Sequence, residues 1–239
     1  MFHWFAKSPH RSSTGLNRIR KDFIQMLKTA QHEFTLACQV TLLGADPQGI
    51  KDALLQADKQ VNKFERQIRK ELVVHCSVVG HVDPESLVMM SISKDAERLG
   101  DYAKNIFDLG LTVSHLPEGD DRERLLILKS LVERILDDCQ LIFENNDEEL
   151  AKKVIREGTW ISRQCDHNTT RLLQLEQPDR HTAPNVLLFR YMKRMIAHLR
   201  NICSSMVQPV HKLDFTSKLT RDVDHGGDLL DWKEDYLDR

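Results

Sequence analysis

Glu97 and Asp101 stand four residues apart in the segment SKDAERLGDYAKNI, Ser93 to Ile106, with a third acid at Asp95. On a helix that spacing puts both carboxylates on one face, where like charges repel, so the pair calls for a positive group nearby. Asp58 and Asn62 repeat the spacing earlier in the chain. Two such helices side by side bring four oxygen-bearing side chains together, and Glu65, one turn beyond, extends the set if it faces the same way. Hard cations such as magnesium, calcium, manganese or iron take ligands of this kind, and several carboxylates can share more than one ion. The plain alternative is a solvated acidic face neutralised by Arg98. His75, His81 and His115 invite a metal reading as well. Glu71 and His75 share a face, but the Glu-x-x-His spacing of di-iron carboxylate enzymes is absent, and surface or capping histidines are the simpler expectation.

The elements that must position these residues are helices. After Gly15 the apolar residues recur at spacings of three and four, and strand-like alternation is scarce, which predicts an all-α protein. A first helix is expected from about Leu16 to Leu43, with Ile19, Phe23, Met26, Leu27, Phe34, Ala37 and Val40 along one stripe and a stop at Gly44. Pro47 after Asp46 opens a second, which holds IKDALLQADKQVNKFERQIRKELV. Asp83 before Pro84 reads as the N-cap of a third, lasting to about Ser114. A fourth helix is predicted from about Arg122 to Glu144, a fifth from Asp147 to Leu175 and a sixth from Val186 to Lys212.

Composition narrows the function classes. The 239 residues are 29% charged with a formal net charge of -2 and no basic stripe, which argues against nucleic acid as a partner. The five cysteines are scattered, odd in number and without a C-x-x-C pair, so they read as reduced, mostly buried thiols. The opening MFHWFAKSPHR lacks the order of a signal peptide, and no apolar run is long enough to span a bilayer, so a cytoplasmic placement is expected. Phe2, Trp4 and Phe5 are expected to fold back onto their own domain, contact with a membrane surface or a partner being the alternative. The closing TRDVDHGGDLLDWKEDYLDR is acidic and broken by Gly226-Gly227. It predicts a flexible joint and then a short amphipathic helix, through Leu229, Leu230, Trp232, Tyr236 and Leu237, that docks on the bundles or on a partner.

The six helices fall into two sets of three. LGDYAKNI aligns without gaps on MIAHLRNI, and ADKQVNKFE lies over EGTWISRQC, a faint match in the right order that suggests an internal duplication. The chain is therefore read as two tandem antiparallel three-helix bundles, residues 16–116 and 120–213, sharing a flat interface and followed by a tail at 214–239.

DAERLGDYAKNI resembles the signature of the PhoU domain family, D-x-E-R-I-G-D-H-A-x-N-I on the third helix of a bundle. DKQVNKFERQI resembles that family's second-helix pattern, D-x-x-V-D-x-L-E-x-x-I. The resemblance covers about residues 16 to 212, strongly in the first half and faintly in the second. It implies tandem bundles, commonly a homodimer, and paired acidic motifs that hold one or more metal ions, with iron, zinc, magnesium and manganese all as occupants. On this chain those motifs fall on Asp58, Asn62, Glu97 and Asp101, with Glu65 and Asp95 as additional ligands. It further implies a regulator of phosphate uptake and homeostasis that works through a membrane transporter or a sensor kinase. Departures from the pattern are specific: Asn62 replaces an aspartate, which lowers the charge while keeping an oxygen, and Tyr102 replaces a histidine. In the second bundle Lys193 and Ala197 stand where the acids belong, and Gly158 and Ser162 replace their partners, so a metal site is expected in the first bundle only.

Lys193 allows two readings: its ammonium supplies the charge that a metal supplies in the first bundle, or the site has decayed and Lys193 sits in water, the simpler of the two. Arg190, Lys193 and Arg194 also form a basic stretch that could receive an acidic partner segment. Three functions follow in order. The first is a metal-bearing regulatory protein without turnover. The second is a metal-dependent enzyme using Asp58, Glu97 and Asp101, against which stands the lack of a convincing base, nucleophile or phosphate-cradling loop. The third is a purely structural interaction module.

Overall fold

The computed structural model describes residues 13–113, 117–223 and 226–232. Phe2, Trp4, Phe5, His115, Tyr236 and Leu237 lie outside them. Six helices follow one another: α1 Ser13–Thr41, α2 Pro47–Val79, α3 Pro84–Thr112, α4 Gly119–Asn145, α5 Glu148–Leu173 and α6 Thr182–Val207, with no strand among the described residues.

Local chemistry sets the helix ends. The Asp46 carboxylate accepts from the Gln48 amide ahead of Pro47, and Asp83 accepts from the amide and hydroxyl of Ser86 ahead of Pro84. Gly80 closes α2 with φ +82, a conformation glycine adopts without penalty. His75 sits beside Asp83 at 3.6 Å, so this histidine serves the α2–α3 corner. The largest shifts from the expected boundaries are at the two ends of the sixth helix. The sixth helix opens at Thr182, because Asp179 takes hydrogen bonds from the amides of His181 and Thr182. It ends at Val207, two residues before Pro209, and Val210–Lys212 form a separate 3-10 turn.

α1, α2 and α3 pack on one another as one bundle, α4, α5 and α6 as a second, and the two meet along α3 against α6 and α1 against α4. The interface is apolar at α1–α4, where the Phe23 and Phe143 ring centroids are 4.9 Å apart. It is polar at α3–α6, where Asp95 and Tyr102 meet His198 and Arg194. One continuous apolar core runs through both bundles.

The tail beyond Asp214 lies on the second bundle. The side chains of Arg156, Trp160, Arg163 and Gln164 on α5 donate to the carbonyls of Leu219, Gly226, Val223 and Gly227. Arg124 makes a forked ion pair with Asp228 at 2.9 and 3.0 Å, and Leu229 is fully buried. The Gly226-Gly227 pair read as a flexible joint is thus held at both carbonyls, and the expected amphipathic helix is a single 3-10 turn, Leu229–Trp232, within the described residues.

Candidate metal site

The acidic face is built from the sides of α2 and α3 left over once their apolar stripes are buried. Ala57, Val61, Ile68 and Leu72 of α2 and Ala96, Leu99, Ala103 and Ile106 of α3 point into the core. Asp58, Asn62, Glu97 and Asp101 flank those stripes and stay partly exposed. Because the helices run antiparallel, Glu65 of α2 comes level with Lys94 of α3, their charged atoms 4.0 Å apart.

As they stand, these side chains are engaged with neighbours on their own helices. Glu97 accepts from the Lys94 ammonium at 2.6 Å, and Asp101 from Arg98 at 2.9 Å. Asn62 donates to the carbonyl and the carboxylate of Asp58, and Glu65 pairs with Arg69 at 2.9 Å. Among the described residues no three His, Cys, Asp or Glu side chains converge on one point. The physical cause is plain: carboxylates without a shared cation repel and turn to the nearest ammonium or guanidinium. A cation would have to draw them from Lys94 and Arg98.

Asp95, expected as an additional ligand, is elsewhere. It faces α6, where its carboxylate meets His198 Nδ1 at 2.7 Å and Asn201 at 3.2 Å. It ties the two bundles together and turns away from Glu97 and Asp101.

The structure adds a residue that the motif reading missed. Glu33 on α1 is fully buried, and neither carboxylate oxygen has a hydrogen-bond partner. Burial, then the Asp58 and Asp101 carboxylates, push its pKa up to about 9, Lys104 opposing them. Gly100, next to Asp101, makes room: a Cβ there would stand 2.9 Å from Glu33 Oε2. The signal was in the sequence, because position 33 continues the apolar stripe three residues after Ala30 and four before Ala37. An acid on a buried stripe needs a reason.

In the second bundle the equivalent space is filled by protein. A Cβ at Gly158 would meet the Arg200 stem at 2.8 and 2.9 Å, and Ser162 donates to the Gly158 carbonyl. Arg200 donates to Thr216 of the tail, and burial lowers its pKa, with Arg163 adding repulsion. Lys193 does not sit free in water: its ammonium lies 2.6 Å from Asp166 on α5. Arg194 donates to the Tyr102 hydroxyl across the interface, so of the expected basic surface only Arg190 points fully outward.

The fold and this face define an all-helical, two-bundle protein with one acidic two-helix motif. Residues 23–109, within the first bundle, match the model of the PhoU domain. The chain is 26% identical over 223 residues to the "Phosphate-specific transport system accessory protein PhoU homolog" of Xylella fastidiosa strain 9a5c, covering 87% of this chain and 93% of that protein. It stands at the same identity to the homologue of strain Temecula1, 92% of which is covered. The crystal structure of PhoU from Pseudomonas aeruginosa superposes with a TM-score of 0.69 at 19% identity, over 82% of this chain and 96% of that one. The chain is homologous to PhoU accessory proteins along its length, and the solved structure shares its fold.

Proposed function

We propose that this protein is a regulatory accessory protein of phosphate transport that holds a hard metal ion on the α2–α3 face of its first bundle and acts by contact with a membrane transporter or a sensor kinase. The observation that carries the regulatory part is the near full-length similarity to phosphate-specific transport accessory proteins. No helix among the described residues is long and apolar enough to cross a membrane, so work at a membrane goes through a partner. The reading includes a cytoplasmic placement, a homodimer and no turnover.

The metal part rests on donor chemistry. Asp58, Asn62, Glu97 and Asp101 offer carboxylate and amide oxygens on adjacent helices, and an orphaned buried carboxylate lies beneath them. A bound ion would supply positive charge to a cluster whose acids repel. Iron, zinc, magnesium or manganese all suit oxygen donors with open positions.

Two measurements test the reading. Protein purified without chelator is expected to carry metal by elemental analysis, and Glu97→Ala with Asp101→Ala is expected to lose it; equal content in both sinks the metal site. Co-purification with membranes that contain a phosphate transporter is expected to vary with phosphate supply. A chain that associates with neither transporter nor kinase under any supply sinks the regulatory role.

A further inference from the structure

We propose that Glu33 is a direct ligand from α1 to the cation on the acidic face, so that the site is formed by three helices and closes the first bundle around the ion. The inference rests on the metal reading above and adds a residue that neither acidic motif contains.

The argument starts from pairing. Among the described residues, other shielded acids meet a cation directly: Glu65 has Arg69, Glu85 has Arg20 and Glu157 has Arg134, while Asp95 is hydrogen-bonded to His198. Glu33 is more deeply buried than any of these and has no direct partner. The charges it feels most are two further acids, Asp58 on α2 and Asp101 on α3, and then Lys104. A buried carboxylate in the field of other carboxylates is costly unless a proton or a cation offsets the charge.

The packing around Glu33 keeps the carboxylate where a cation would meet it. Gly100 has no side chain to crowd Oε2: a Cβ there would stand 2.9 Å from Glu33 Oε2 and 3.5 Å from the Val61 side chain. Glu33 therefore reaches the groove floor between the helices that carry Asp58 and Asp101. Drawn together by a cation, the carboxylates of Glu33, Asp58 and Asp101 from three helices, with Asn62 and Glu97, would supply the charge and the oxygen donors that a hard cation takes.

Chelator-treated wild type, Glu33→Gln and Glu33→Asp are titrated with manganese(II), reading free ion by its magnetic resonance signal and the melting temperature at each point. Gln is isosteric and removes a buried charge, so the fold is retained, and circular dichroism checks it. Glu33→Gln is expected to weaken manganese binding on the order of ten-fold or more, Glu33→Asp less, since carboxylate number sets affinity. The rise in melting temperature on adding manganese is expected to shrink in the same order. Glu149→Gln, an exposed acid on α5, serves as control and is expected to match wild type. If wild type binds manganese in a Glu97- and Asp101-dependent way and Glu33→Gln binds as tightly, the three-helix site is wrong while the metal reading stands. If wild type takes up none of manganese, iron(II), zinc or magnesium, both fall.

Discussion

Against Gly100 of the first bundle, next to Asp101, lies a buried acid with no hydrogen-bond partner, whereas against Gly158 of the second lies the stem of an arginine. The two bundles share one helical plan and have resolved charge in opposite ways. In the second, the protein supplies the cations: Arg134 bridges Asp138 and Glu157, Lys193 meets Asp166, and the tail covers Arg156, Trp160, Arg163 and Gln164. In the first, Lys94 and Arg98 hold the rim acids but leave the deepest one alone. Two bundles on one helical plan thus differ in charge: the second pairs its charges within the protein, and the first leaves Glu33 without a hydrogen-bond partner.

The largest effect expected of any change to this contrast is at the strap. Leu229→Ala should cost roughly 3 kcal/mol, in the range of fully buried leucines, and lower the urea midpoint accordingly. A change below about 0.5 kcal/mol would mean the tail is not part of the second bundle's core.

Next comes the lone acid. With metal removed, Glu33 stays protonated in the folded state up to about 9 while the unfolded chain ionises it near 4.5. The folded state binds the extra proton, so this term contributes fully below 4.5 and is lost as pH rises toward 9. Glu33→Gln removes the loss and should stabilise the chelated protein on the order of 2 kcal/mol at pH 8 and hardly at all at pH 4.5. Denaturation curves at several pH values check this, and a gain that does not grow with pH breaks it.

Smaller again is Gly158→Ala. Its Cβ would push on the Arg200 stem and on Ile196, 3.2 Å away, at a cost of about 1–2 kcal/mol. An unchanged melting temperature would show that the stem moves aside freely. The smallest effect is Lys193→Ala: Asp166 is 57% exposed at the side chain, so loss of the pair should cost under about 1 kcal/mol. A larger loss would mean that Lys193 carries a structural load comparable with a metal.

The helices, their proline-led starts at Pro47 and Pro84 and the acidic pairs were legible in the chain, because caps and spacing of three and four are local properties. The partners of those acids were not. Asp95 and Asp101 are six residues apart on one helix, yet one meets His198 of α6 and the other Arg98 of its own helix; only the packing of bundle on bundle assigns the first. Glu33 was visible as an acid on an apolar stripe, but which charges it meets depends on how α1 sits in the groove of α2 and α3.

By itself, then, the sequence determined which stretches are helical, which faces are apolar and that the paired acids stand in the first bundle and not at the aligned positions of the second. The tertiary structure alone decided that Glu33 is buried against Gly100 beside Asp101, that Asp95 is an interface residue and that the tail is strapped to α5. The physical reason is reach: periodicity fixes the direction of a side chain relative to its own helix, whereas charge pairing is decided by the helix that packs opposite.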